Sequence, residues 1–228
     1  MFLIPVPISG NGIPWSIPLK VSEQIVSIQH FIVENEKTAR HYLKQLNPGI
    51  SWDKISLLEM DKHNMESRRG EIRNMLLENP MVGLMSEAGL PCIADPGNHV
   101  VRMAHELQIT VKPLTGPSSI LLALIASGLN GQQFKFNGYI PVKPEERRQA
   151  ILRLEKESGT CTQLFIEAPY RNDKMFADLL AVLNPSTRLL IAVDLTGDHE
   201  RIMCRTVSWW KDNRLEIGKI PCMFGLGL

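Results

Sequence analysis

Gly83-Leu84-Met85-Ser86-Glu87-Ala88-Gly89-Leu90-Pro91-Cys92-Ile93-Ala94-Asp95-Pro96-Gly97-Asn98 is the stretch whose reading decides the fold. An apolar strand, expected over 80–85, runs into a loop with two carboxylates and several glycines and prolines. An amphipathic helix follows, with Val100, Val101, Met103, Ala104 and Leu107 spaced for one buried face. Open α/β sheets bind ligands at such strand–loop–helix junctions, outside the carboxyl ends of the strands. Glycine lets a backbone approach a ligand closely, and proline stiffens the loop. A tight structural connection would use the same residue types, so the rest of the chain has to decide.

Outward from that loop, strands and helices alternate. The pattern predicts strands over 2–6, 30–33, 55–58 and 109–111, with helices over 36–46 and 67–77 and helical spacing at Val21, Ile25 and Ile28. That alternation argues for a mainly parallel sheet covered by helices. Pro113-Leu114-Thr115-Gly116-Pro117 is the best internal boundary, dividing the chain into domains 1–113 and 114–228. Ser118 or Ser119 caps an apolar helix ending at Gly128. The second half predicts strands over 134–139, 162–166, 188–193, 201–207 and 221–226, and helices over 144–156 and 173–183. A hairpin among the late strands would make that half mixed.

Composition excludes several classes. The chain has 228 residues, enough for one large domain or two small ones. Its net charge of +1 gives no global attraction to nucleic acid, so a basic patch has to be local. Such clusters are Arg68-Arg69 with Arg73, Arg147-Arg148 with Arg153, and Arg171. Cys92, Cys161, Cys204 and Cys222 are scattered without a C-x-x-C pair and read as reduced thiols of a cytoplasmic protein. The histidines lack ligand spacing, so no metal site is expected. Nothing in the sequence reads as a targeting or membrane-spanning segment.

Ser86-Glu87-Ala88-Gly89-Leu90-Pro91-Cys92-Ile93-Ala94-Asp95-Pro96-Gly97 resembles the S-D-A-G-T-P-x-I-S-D-P-G signature. That signature belongs to the small-subunit ribosomal RNA ribose 2′-O-methyltransferase branch of the tetrapyrrole-methylase superfamily. Leu114-Thr115-Gly116-Pro117-Ser118-Ser119 is similar to its L-P-G-P-S/C-A, and Phe136-Asn137-Gly138-Tyr139-Ile140-Pro141 to its F-x-G-F-L-P. Phe165-Ile166-Glu167-Ala168-Pro169-Tyr170-Arg171 resembles F-Y-E-A-P-H-R, Asp194-Leu195-Thr196 sits where that branch has E-L-T, and His63-Asn64 matches its H-N. The matches keep their order over nearly the whole chain. Two segments depart from the pattern. T-P-I-G-N-L-x-D-I is here Pro7-Ile8-Ser9-Gly10-Asn11-Gly12-Ile13-Pro14-Trp15, and E-D-T-R is Glu34-Asn35-Glu36-Lys37.

The resemblance implies two α/β domains of the tetrapyrrole-methylase type with the cofactor cleft between them, a homodimer, and S-adenosylmethionine as methyl donor, leaving S-adenosylhomocysteine. The cofactor contacts it implies are Pro7, Glu87, Ala88, Gly89, Pro91, Ile93, Ser118, Ser119, Tyr139, Ile140, Pro221 and Met223. For the two serines a plain capping role competes. Trp15, His63, Asn64 and Arg171 are the candidate contacts to substrate, with ribosomal RNA the implied partner. A ribose hydroxyl is a weak nucleophile at neutral pH. Glu34, Glu87, Asp95 and Glu167 are the carboxylates inside the matched motifs; Glu34, Glu87 and Asp95 are the candidate bases, a loop hydrogen-bonding role competes for each, and no one of them is singled out. The rival readings are a methyltransferase for a small molecule or tetrapyrrole, and a member that binds cofactor or RNA without catalysis. A serine hydrolase is set aside for want of a G-x-S-x-G elbow.

Overall fold

The computed structural model describes residues 1–9, 16–60 and 66–227. The chain divides into two compact units, Met1–Ser118 and Ser119–Leu228. Among the described residues no helix is long and apolar enough to cross a membrane.

The first unit holds a five-stranded parallel sheet in the order β3-β2-β4-β1-β5. The strands are β1 (Phe2–Leu3), β2 (His30–Val33), β3 (Ser56–Glu59), β4 (Val82–Met85) and β5 (Lys112–Pro113). Both faces are apolar, as a parallel sheet with helices on both sides requires. Successive side chains alternate between two cores. Ile32, Val82 and Leu84 join Ile72, Leu76, Val100 and Met103 from helices Arg69–Glu78 and Gly97–Glu106. Phe31, Val33 and Met85 join Ile25, Ala39, Tyr42 and Leu43 from helices Leu19–Val26 and Glu36–Leu46. Helix Glu36–Leu46 begins where Asn35 accepts the Thr38 amide at 3.0 Å. It buries Ala39, Tyr42 and Leu43, one face at helical spacing.

Two strands differ from expectation, each for a local reason. The first sheet strand is Phe2–Leu3 rather than the five residues expected. Ile4 still donates to the Leu84 carbonyl at 2.8 Å, but Pro5 has no N–H and its carbonyl accepts from the buried Tyr42 hydroxyl at 2.9 Å. The fifth strand is Lys112–Pro113 rather than 109–111. Gln108 takes a left-handed φ of 58°, and the Ile109 amide donates back to Ala104 at 2.8 Å. The amide expected to begin the strand is thus engaged in closing the preceding helix.

The second unit carries the sheet β6-β7-β10-β8-β9. Its strands are β6 (Phe134–Tyr139), β7 (Thr162–Ile166), β8 (Arg188–Val193), β9 (Arg201–Thr206) and β10 (Cys222–Gly227). β6 and β7 are parallel, while β10 runs antiparallel to both β7 and β8, and β8–β9 is also antiparallel. The half is therefore mixed. Its core stacks Phe165 on Phe224 (centroids 5.5 Å apart) and sets Phe176 edge-on to Trp210. Trp210 belongs to a short helix, Val207–Asp212, that was not among the expected elements. Thr206 caps that helix by accepting the Trp209 amide at 3.3 Å.

Candidate functional site

The loop 86–97 lies at the carboxyl end of β4. Residues after β2 and β1, its neighbours in the sheet, come to it. Val6 and Gly89 exchange both backbone hydrogen bonds (2.8 and 2.9 Å), which brings Pro7 beside Ala88. Glu34, just after β2, accepts the Glu87 amide at 3.2 Å, and Thr38 donates to the Glu87 carboxylate at 3.4 Å. Pro7, Glu34, Glu87, Ala88 and Gly89 are thus one cluster.

The loop is held in an uncommon conformation. Gly89, Cys92 and Ala94 have φ of 70°, 74° and 64°. The left-handed region is costly for residues with a Cβ, so Cys92 and Ala94 hold it only because neighbours enforce it. Asp95 is the enforcing group. Its Oδ1 accepts the Cys92 amide at 3.0 Å and the Gly97 amide at 2.7 Å. A Cβ at Gly97 would stand 2.8 Å from that same oxygen, so the D-P-G sequence has a steric reason. A Cβ at Gly89, by contrast, would meet only the Pro117 carbonyl, at 3.8 Å. A Cβ would fit there without a clash, although Gly89 itself is buried. Glu87, Ala88, Ile93 and Ala94 are exposed and Pro91 is buried. Burial and the charge of Asp95 push the Cys92 thiol up to about 11. Ser118 is buried and Ser119 half-buried where the first unit gives way to the second.

In the second unit, Tyr139 of β6 and Met223 of β10 both pair with Ile166 of β7, one on each side. Tyr139 is 58% exposed, whereas Ile140 and Met223 are buried. Pro221 is exposed, and its carbonyl accepts the Asp194 amide at 2.9 Å. Gly138 has a φ of 66° with no atom within 4 Å of a Cβ built there.

Arg171 is bound to Glu167 by Nε (2.9 Å) and Nη2 (2.6 Å), which raises its already high pKa further. Of the basic clusters, the one at 147–153 needs correction. Arg147 is 1% exposed and engaged with Asp178, Glu167 and two carbonyls, so it cannot meet a nucleic acid. This arginine turns inward, away from solvent. Trp15, His63 and Asn64 lie outside the described residues. Among the described residues no group of three His, Cys, Asp or Glu is placed to hold a metal ion.

No family profile matches the chain. Solved structures do resemble it. A methyltransferase, CobJ, has a TM-score of 0.61 at 13% identity, over 93% of this chain and 88% of that one. Uroporphyrin-III C-methyl transferase from Thermus thermophilus, solved with S-adenyl homocysteine, has 0.56 at 18%, over 95% and 93%. The two α/β units thus define a protein with the tetrapyrrole-methylase type of fold. Ribosomal RNA small subunit methyltransferase I of Vibrio cholerae is 30% identical over 213 residues, 92% of this chain and 70% of that one. Its namesake from Escherichia coli O157:H7 is 30% identical over 93% of this chain and 72% of its own. The one from Micromonospora olivasterospora is 36% identical over 89% and 61%. The chain belongs to the ribosomal RNA small subunit methyltransferase I family, and so to the methyltransferases.

Proposed function

We propose that this chain transfers a methyl group from S-adenosylmethionine to small-subunit ribosomal RNA, at a ribose 2′-hydroxyl. The observation that carries the reading is the loop 86–97. It sits at the carboxyl ends of parallel strands, is locked in left-handed conformations, and leaves no atom closer than 3.8 Å to a Cβ built at Gly89. A cofactor's amino-acid end needs backbone groups at close range, and Gly89 with Ala88 offers them. Bound there, S-adenosylmethionine supplies a methyl group made electrophilic by its sulfonium. Pro91 and Ile93 form an apolar wall beside this backbone, with Ser118 and Ser119 in support. Tyr139, Ile140, Pro221 and Met223 contribute the adenine side.

In-line displacement needs the acceptor oxygen held at near-attack distance and alignment. Asp95 fixes the loop that does this, with one carboxylate oxygen on two amides. Glu34 fixes the amide of Glu87. That leaves the exposed Glu87 carboxylate as the group to take the hydroxyl proton. The protein works in the cytoplasm as a homodimer. Two measurements test the reading. Calorimetric titration should give about one site per chain for S-adenosylhomocysteine. Radiolabelled methyl should pass to small ribosomal subunits lacking the modification and appear as 2′-O-methylnucleoside after digestion. Label recovered on a base, or cofactor binding with no transfer to any ribosomal RNA, would overturn it.

A further inference from the structure

The corner that follows β7 is built more firmly than a strand end requires. From Ile166 the chain turns through Glu167-Ala168-Pro169-Tyr170-Arg171 into helix Asn172–Val182. The Glu167 side chain is wholly buried, which is costly unless its charge is paired. One oxygen, Oε1, accepts the Ala168 amide at 2.7 Å and two bonds from Arg171. The other has no hydrogen bond, with Nη2 of the buried Arg147 at 4.0 Å. Arg171 therefore cannot sweep through solvent as a surface arginine does. Its remaining terminal nitrogen, Nη1, donates to the Tyr170 hydroxyl at 2.9 Å, and its guanidinium carbon lies over the Tyr170 ring, 5.0 Å from the centroid. The ring so held is 68% exposed. It adds nothing to the unit's core, yet three polar contacts from a buried carboxylate and a cation hold it up to solvent.

A rigid, exposed aromatic ring backed by a guanidinium is the form that takes an unpaired base. Every base has a π-face, so stacking tolerates sequence, and specific RNA recognition favours unstacked nucleotides. Lys174, in the first turn of the helix that follows, is exposed and lies 4.0 Å from the Asp178 carboxylate. Tyr139, assigned above to the adenine side, is close enough for its phenol to act on the Arg171 charge. We infer that Tyr170 is a stacking platform for an unpaired nucleotide of the acceptor RNA, with Arg171 and Glu167 as its positioning residues.

This inference rests on the RNA-acceptor reading, and the experiment separates the two. The probes are a fluorescein-labelled 16-nucleotide single-stranded RNA of mixed sequence and small ribosomal subunits lacking the modification. Tyr170→Ala should weaken both by roughly tenfold, while Tyr170→Phe stays within about twofold of the parent because it keeps the ring. Both variants should hold S-adenosylhomocysteine within about twofold of the parent, since the stack touches RNA alone. Unchanged RNA affinity in Tyr170→Ala, with the parent binding both probes, overturns the platform and leaves the acceptor reading standing. A parallel loss of S-adenosylhomocysteine affinity overturns it too, by assigning Tyr170 to the cofactor or the fold. Failure of the parent protein to bind either RNA removes both readings.

Discussion

The loop after β4 and the corner after β7 both leave a strand end and enter a helix, yet they are fixed by opposite means. The first is a backbone device. Three left-handed residues, an exchange of amides between Val6 and Gly89, and one Asp95 oxygen hold it. The second is a charge device, with Arg147, Glu167, Arg171 and Asp178 linked around a buried carboxylate. A backbone device leaves its inner surface free for a ligand to approach main-chain groups. A charge device fixes side chains and presents them outward. The first suits a small cofactor and the second a large acceptor, which is how the two are assigned above.

The contrast can be broken most forcefully at Glu167. Glu167→Ala leaves buried Arg147 short of a counter-charge and should cost about 3–5 kcal/mol. Urea unfolding should show that loss, and a variant as stable as the parent would mean Asp178 alone balances Arg147. A smaller effect is expected at Gly89. Gly89→Ala meets no clash but must hold a φ of 70°, at about 1–2 kcal/mol. The sharper readout is S-adenosylhomocysteine affinity, which Gly89→Val should lower further than Gly89→Ala because its side chain enters the space meant for ligand. Equal affinity in both variants would move the cofactor away from this backbone.

The smallest effect concerns Cys92. Its thiol is raised to about 11, so the folded loop favours the protonated form. The stability this adds is complete below the ordinary thiol value of about 8.5. It is lost as pH rises through the folded value. Iodoacetamide should therefore modify Cys92 slowly at pH 8 and rapidly near pH 11, with a small fall in the urea midpoint over the same range. Fast alkylation at pH 8 would show that the loop opens far more readily than its hydrogen bonds imply.

The fold was legible wherever apolar periodicity was uninterrupted. His30–Val33, Phe134–Tyr139, Thr162–Ile166, Arg188–Val193 and helix Glu36–Leu46 fall on the expected residues. It was less legible where one hydrogen bond decides between two uses of an amide, as at Pro5 and Ile109. The site divides the same way. The glycines and prolines of 86–97 announce a special backbone, because only a few residue types fit one. That one Asp95 oxygen would clamp two amides depends on which atom accepts which amide. Tyr170 escaped notice because a lone tyrosine in a turn carries no pattern. Its meaning comes from Glu167, which sequence spacing does not identify as buried. Arg147 misled for a related reason, since charge in a run says nothing about which member turns inward.

The position of β10 in its sheet has a consequence for synthesis. Cys222–Gly227 lies between β7 and β8, so the last in sequence of this sheet's described strands is the central one. While the ribosome is still translating, β6 and β7 on one side and the β8–β9 hairpin on the other have no strand to join them. This half of the molecule must wait as two fragments, with apolar edges open, until its final strand emerges. The first half, by contrast, can close once Pro113 is free. A nascent chain stalled before Cys222 would therefore carry one finished half and one that proteases and chaperones can still recognise.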